Sequence, residues 1–276
     1  MKTSNYRVKV CVVGCGAIGS RIAKSVQKEL SKDCRITGIY DLDTTKTEKL
    51  AKSLKLNKNY YNKPLNELIA KSDCIVEAVN AKNTRDIIKM AIEYQKTVLV
   101  MSVGKMLEED KLFKLARKNK CYILLPSGAL AGVDAIKAAS GAKITQINLV
   151  TRKPPQGLSG NPYFDKVGID INAIKKETIV FDGNVTDAVK NFPQNINVAA
   201  TLALAAGSKK NLNIKIVTSP KYTLNSHEVE VFGDFGSIVT KTENVPCPDN
   251  PKTSYLAVLS GIQTLKQYCR GILIGT

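Results

Sequence analysis

The apolar run Val8–Val13 turns through Gly14-Cys15-Gly16-Ala17-Ile18-Gly19 into a stretch, Ser20–Leu30, whose apolar residues recur at helical spacing. A strand, a G-x-G-x-x-G turn and a helix in that order admit few folds. Gly14 permits the tight turn, Gly16 lets the backbone approach a pyrophosphate, and Gly19 lets the helix pack closely on the strand. Ala17 and Ile18 fall where helix-start N–H groups face phosphate. A second apolar run, Cys34–Tyr40, ends at Asp41, about where such sites carry an acid for the adenosine ribose. Gly14, Gly16, Ala17, Ile18, Gly19 and Asp41 are therefore expected to hold a dinucleotide. NAD is preferred, because a carboxylate repels a 2′-phosphate. NADP is tolerated, because Lys46 lies nearby to offset that charge.

Strand and helix patterns then alternate. Helical spacing covers Thr44–Leu54, Leu65–Ala70, Arg85–Tyr94 and Lys111–Lys118, and strand character covers Cys74–Val79, Thr97–Ser102 and Cys121–Leu125. This predicts a Rossmann-type, doubly wound parallel sheet, with ligands beyond the carboxyl ends of its strands at Gly14–Gly16, Asp41, Ala78–Asn80, Ser102–Gly104 and Pro126–Ala129. The alternation breaks at Pro126. Beyond it, strands at Ile144–Arg152, Thr178–Phe181, Leu212–Val217, Glu228–Phe232 and Ser237–Thr242 mix with helices at Asp134–Ala139, Thr186–Asn191 and Val198–Ala206, which predicts an α+β domain with an open mixed sheet. The segment between Pro154 and Asp170 reads as loop. Thr253–Arg270 reads as an amphipathic helix with Leu256, Leu259, Ile262 and Leu265 on its apolar face. The domains expected are thus a dinucleotide-binding domain, 1–126, rejoined by the C-terminal helix in 250–276, and a substrate domain, 127–249.

The chain has 276 residues, enough for two such cores. Its longest apolar-rich run, Val198–Ala206, is too short to span a bilayer, and the first residues lack a signal-peptide pattern, so a cytoplasmic protein with no membrane partner is expected. The seven cysteines show neither C-x-x-C nor zinc spacing, so no metal site and no disulfides are expected. A net charge of +17 raises the question of nucleic acid. The cations are scattered, however, and tryptophan is absent, which argues for a basic surface with anionic small ligands and no nucleic-acid partner.

His227 is the only histidine. It is read as starting a strand after the turn Thr223–Ser226, where a strand edge at a cleft would let imidazole exchange a proton near neutrality. Asp134, Tyr255 and Asp234 could each orient it, and the sequence selects none of them. Asn197, at the start of an Ala/Leu helix, is either an ordinary N-cap or an amide that contacts nicotinamide or its ribose. Arg152 and Lys153, closing the long strand, are candidates for carboxylate binding, with Ser127 and Lys252 behind them.

Taken together, Val13–Gly19, Ser102–Gly104, Pro126–Ala135, Thr151–Pro154, Phe192–Leu202, His227–Gly236 and Asn250–Tyr255 resemble the L-aspartate dehydrogenase family along nearly the whole chain. The resemblance implies NAD(P)-dependent oxidation of L-aspartate to iminoaspartate, which hydrolyses to oxaloacetate and ammonia or feeds NAD biosynthesis; the reverse reductive amination uses the same groups. It implies His227 as the catalytic proton-transfer residue, Ala129 and Asn197 as cofactor contacts, and a homodimer. Two alternatives stay open. One is another two-domain NAD(P) dehydrogenase or reductase acting on a homoserine-like or dihydropicolinate-like substrate, and the other is a non-catalytic dinucleotide-binding sensor.

Overall fold

The computed structural model describes residues 7–79, 83–192, 196–248 and 250–276, with the side chains of 250–252 outside the description. The chain divides into two compact units, residues up to Pro126 with Val258–Ile274, and Ser127–Ala257 with Gly275–Thr276.

The first unit alternates strand and helix: β1 (Val8–Val13), α1 (Ala17–Gln27), β2 (Cys34–Tyr40), α2 (Thr44–Ser53), α3 (Leu65–Ala70), β3 (Cys74–Glu77), α4 (Thr84–Glu93), β4 (Thr97–Val100), α5 (Asp110–Lys118) and β5 (Ile123–Leu124). The strands form one parallel sheet in the order β2-β1-β3-β4-β5. The order reverses between β1 and β3, which opens a crevice beyond their carboxyl ends. β3 and β4 are buried at every position, as a strand covered on both faces must be. The core joins Val10, Val12 and Ile39 of the sheet to Ile22 and Val26 of α1 and Leu50 of α2.

A buried carboxylate fixes the strand ends that border the crevice. Glu77, the last residue of β3, is fully buried. It accepts from the N–H of Val79 (3.1 Å), from the N–H and hydroxyl of Ser102 beyond β4 (3.2 and 2.9 Å), and from the hydroxyl of Thr84 at the start of α4 (3.3 Å). Burial raises its pKa and the four donors oppose that shift. One acid thus ties two strand ends to a helix.

In the second unit come α6 (Val133–Ala139), β6 (Ile144–Lys153), α7 (Pro162–Val167), β7 (Thr178–Asn184), α8 (Val185–Asn191), α9 (Asn197–Ala205), β8 (Leu212–Thr218), β9 (Asn225–Gly233) and β10 (Gly236–Asn244). The sheet order is β10-β9-β6-β8-β7, mixed because β6 runs parallel to β8 and every other pairing is antiparallel. α8 and α9 cover one face, where Ala188, Ile196 and Ala199 close over Leu149 and Ile214. β11 (Pro246–Cys247) and β12 (Asn250–Ser254) form a small ribbon that leads into α10 (Tyr255–Arg270).

Three expectations change. The 154–170 segment is not all loop. Asn161 caps α7 by accepting from the N–H of Tyr163, Pro162 sits at the first helical position, Tyr163 packs edge-on against Phe181 and tilted against Phe192, and Phe164 packs edge-on against Phe192. The buried stripe of α10 is Val258, Gly261 and Leu265, whereas Leu256 and Leu259 are each 38% exposed. The reason is steric, since a Cβ at Gly261 would lie 2.6 Å from the sulfur of Met101; close approach at the glycine sets the facing side. Finally, His227 does not start a strand, because pairing begins two residues earlier at Asn225. The expected strand end at Asn80 lies outside the described residues.

Glu77→Gln leaves one donor of the cluster without an acceptor in a dry site. It is expected to destabilise the protein by about 1–3 kcal/mol, read as a lowered urea midpoint at unchanged slope.

Candidate active site

In the first unit each glycine of the turn answers a different need. Gly14 has φ +103°, and a Cβ there would lie 2.4 Å from the carbonyl oxygen of Ala78 across the switch point. A Cβ on Gly19 would fall 1.8 Å from the carbonyl oxygen of Gly14. Those two positions are closed by the protein itself. Gly16 is the opposite case, because its Cβ would enter open space with no atom within 4 Å. The turn is thus held by Gly14 and Gly19 and left accessible at Gly16. α1 opens there without a side-chain cap, so its first-turn N–H groups at Ala17 and Ile18 point at that space. Asp41 accepts from the N–H of Cys15 (2.7 Å) and of Asp43 (3.0 Å), one to each carboxylate oxygen. A carboxylate offers about four lone-pair sites, so about two remain for ribose hydroxyls. An open glycine cradle, uncapped helix N–H groups and a fixed acid together fit a dinucleotide. Cys15, inside the turn, is buried and its thiol is pushed up to about 12 by desolvation, so it stays protonated and unreactive.

In the second unit the decisive side chains follow from strand register. Thr242, His227 and Thr151 lie directly opposite one another across β10, β9 and β6. One step along are Asn244, Asn225 and Lys153, with Thr218 facing Lys153 across β8. All but Thr242 in this double row are buried, on the face covered by α8 and α9. Oγ1 of Thr151 is 3.1 Å from Nδ1 of His227. The ring's partner is therefore a hydroxyl rather than any of Asp134, Tyr255 or Asp234. His227 is 4% exposed, and its pKa is lowered to about 3 by desolvation first and by the charge of Lys153 second. Burial alone takes Lys153 down to about 8. Thr151 and Lys153 also border a void of about 10 Å³, room for one water at most, beneath Ile196 and Ala199.

Ala129 joins this group, because its carbonyl oxygen accepts from the hydroxyl of Thr242 (2.8 Å) and the amide of Asn244 (3.3 Å). Ser127, two residues before it, is half-buried and its carbonyl receives the N–H of Leu130. Asn197 is the first helical residue of α9, not its N-cap; that place belongs to Ile196, without a capping side chain. Asn197 is exposed beside Ile196, which lines the void. Arg152 does not belong to the group. Strand alternation turns it to the opposite face, where it pairs with Glu228 at 2.8 Å next to Tyr222. Arg152, expected as a candidate for carboxylate binding, thus lies on the face away from His227. Pro193, Gln194 and Asn195 of the Phe192–Leu202 motif, and the side chain of Lys252, lie outside the described residues. Among the described residues no cluster of His, Cys, Asp or Glu could hold a metal ion, and no helix is long and apolar enough to cross a membrane.

Residues 134–268 match the family model described as aspartate dehydrogenase, C-terminal, and residues 14–126 match homoserine dehydrogenase, NAD binding domain. The L-aspartate dehydrogenase of Methanosarcina barkeri is 40% identical over 272 residues, covering 98% of this chain and 100% of its own. That of Methanosarcina mazei is 41% identical with the same coverage. The chain belongs to the L-aspartate dehydrogenase family. Its fold is shared with the aspartate dehydrogenase of Thermotoga maritima (TM-score 0.68, 21% identity, 98% of this chain and 100% of that one). It is shared too with a hyperthermophilic archaeal homoserine dehydrogenase (TM-score 0.61, 12% identity, 98% and 100%). As in its family, the cofactor is NAD(P).

Lys153 gives a pH signature. Between its folded value of about 8 and its unfolded value near 10.5, only the unfolded chain binds the proton, so stability rises with pH across that window. Wild type should gain on the order of 3 kcal/mol relative to Lys153→Met between pH 8 and 10.5, measured as the difference between paired urea titrations.

Proposed function

We propose that this protein oxidises L-aspartate to iminoaspartate with NAD in preference to NADP, His227 acting as the proton-transfer residue. The observation that carries the reading is the placement of the chain's one histidine on a buried face with Lys153, in a chain that follows the L-aspartate dehydrogenases end to end. Bound along the glycine turn, the nicotinamide supplies the hydride acceptor. Gly14, Gly16, Ala17, Ile18, Gly19 and Asp41 hold the dinucleotide, and Ala129 and Asn197 serve as its further contacts.

The remaining work belongs to the second unit. Oxidation of an amine to an imine releases protons, and the base must be neutral to take one. Desolvation and the neighbouring Lys153 keep His227 neutral at physiological pH. A dicarboxylate entering beside them reverses both effects in the useful direction. Its negative charge stabilises the ammonium of Lys153, giving one carboxylate a cationic partner, and raises the proton affinity of the imidazole. Ser127 is a further candidate for the substrate carboxylates. A homoserine-like substrate, with a single carboxylate and no second anion, makes less use of that response. The proposal includes a cytoplasmic homodimer.

The test is NADH absorbance with L-aspartate and NAD. His227→Ala should lose about 10²- to 10⁴-fold in kcat; tight NADH binding with no turnover of any amino acid by the wild type would favour a sensor instead. Asp41→Ala should raise KM for NAD by about 10- to 150-fold, one charge-assisted hydrogen bond at about 1.5–3 kcal/mol, and KM for NADP far less. A wild-type kcat/KM higher for NADP than for NAD overturns the cofactor preference.

A further inference from the structure

We infer that Thr151 is the positioning residue for His227: its Oγ1 accepts from Nδ1–H, which leaves the lone pair on Nε2 as the site that takes the substrate's proton. The inference rests on the reading of His227 as the base. A neutral imidazole has one N–H and one bare nitrogen, and the hydrogen bond made by one nitrogen decides the state of the other. Thr151 and His227 are direct partners in the β6–β9 ladder, with Oγ1 3.1 Å from Nδ1. Both side chains are buried, so no solvent competes for Nδ1. Threonine is β-branched and stiff about χ1, so the ladder fixes the hydroxyl and the hydroxyl fixes the ring.

What faces the ring sharpens the choice. From β6 it meets Thr151 and, two residues on, Lys153. From β9 the acids Glu228 and Glu230 alternate to the other face, as do Lys241 and Glu243 of β10, leaving the uncharged Thr242 opposite it. α9 carries no ionisable side chain. A carboxylate on Nδ1 would stabilise the imidazolium and raise the pKa. A hydroxyl orients the ring without adding charge, so the base remains neutral until an anionic substrate arrives. Thr151 thereby sets which nitrogen reacts.

His227 being the only histidine, protein labelled with ¹⁵N-histidine shows a single imidazole. Long-range ¹H–¹⁵N correlation near pH 7 should find wild type protonated at Nδ1 and bare at Nε2. Thr151→Val should move the proton to Nε2, and Thr151→Ser should restore the wild-type pattern. Thr151→Ala serves the same arm if the valine variant does not fold. In turnover, Thr151→Val should lose about 10- to 100-fold in kcat, part of the factor a positioned base supplies, with KM for aspartate little changed and Thr151→Ser close to wild type. An Nε2–H ring in wild type, or one pattern in wild type and Thr151→Val, overturns the inference. Full turnover by His227→Asn would overturn the base reading instead, and it leaves the tautomer result standing, so the two failures are separable.

Discussion

The antiparallel register of β6 on β9 is the constraint on which the second unit depends. It places Ile147 opposite Val231, Leu149 opposite Val229 and Thr151 opposite His227, all on the helix-covered face. It also sends Arg152 and Glu228, with Asn148 and Glu230, to the other face, where they bond at 2.8 and 3.1 Å. A slip by one residue on either strand would exchange the faces of that strand. Two fully buried aliphatic side chains of the slipped strand stand to be lost, worth roughly 3–6 kcal/mol at about 1.5–3 kcal/mol each. That is a large share of the net stability of an ordinary domain. The aliphatic pairs therefore dictate where the imidazole goes, and the histidine has no say in its own burial.

Burying Lys153 and His227 side by side works against folding. Both are desolvated, and the charge of one disfavours the charge of the other. A methionine and a leucine would serve the core better on energetic grounds. The surrounding polar row, Thr151, Thr218, Asn225 and Asn244, supplies hydroxyls and amides, which orient the two groups without adding charge. Perturbation of this kind, by burial plus a specific charged neighbour, is a mark of chemical sites. Glu77 is the contrasting case. It too is buried, but four donors surround it and its role is complete within the fold.

Legibility from sequence tracks the span of the interaction. The glycine turn, Asp41 and the alternating elements of the first unit are local, and periodicity with turn chemistry was enough to read them. His227 stood out only because no other histidine competes with it. Thr151 was out of reach, because its importance exists only through a pairing 76 residues away, and threonine in a β-rich segment carries no signal of its own. Arg152 and Lys153 could not be told apart for a related reason: without register the side facing the helices was unknown. Asn161 before Pro162 was a readable helix start that loop composition obscured. At α10, leucines suggested the buried face, whereas a glycine able to approach Met101 determined it.

The division of labour between the units also explains the pattern of likeness. Gly14 and Gly19 are closed by the backbone carbonyls of Ala78 and Gly14, and Asp41 is held by backbone N–H groups, contacts that any reaction using the same cofactor can share. Accordingly the first unit matches a model named for homoserine dehydrogenase, and the second matches one named for aspartate dehydrogenase. Structures at 12–21% identity retain the fold, and fold alone carries no substrate. What can differ between such proteins without disturbing either core is the polar double row on β6, β9 and β10. Its cross-strand hydrogen bonds change with single residues while the aliphatic pairs keep the register. Substrate choice is therefore most economically altered at Thr151, Lys153, Asn225 and Thr242, positions that the sheet holds in place.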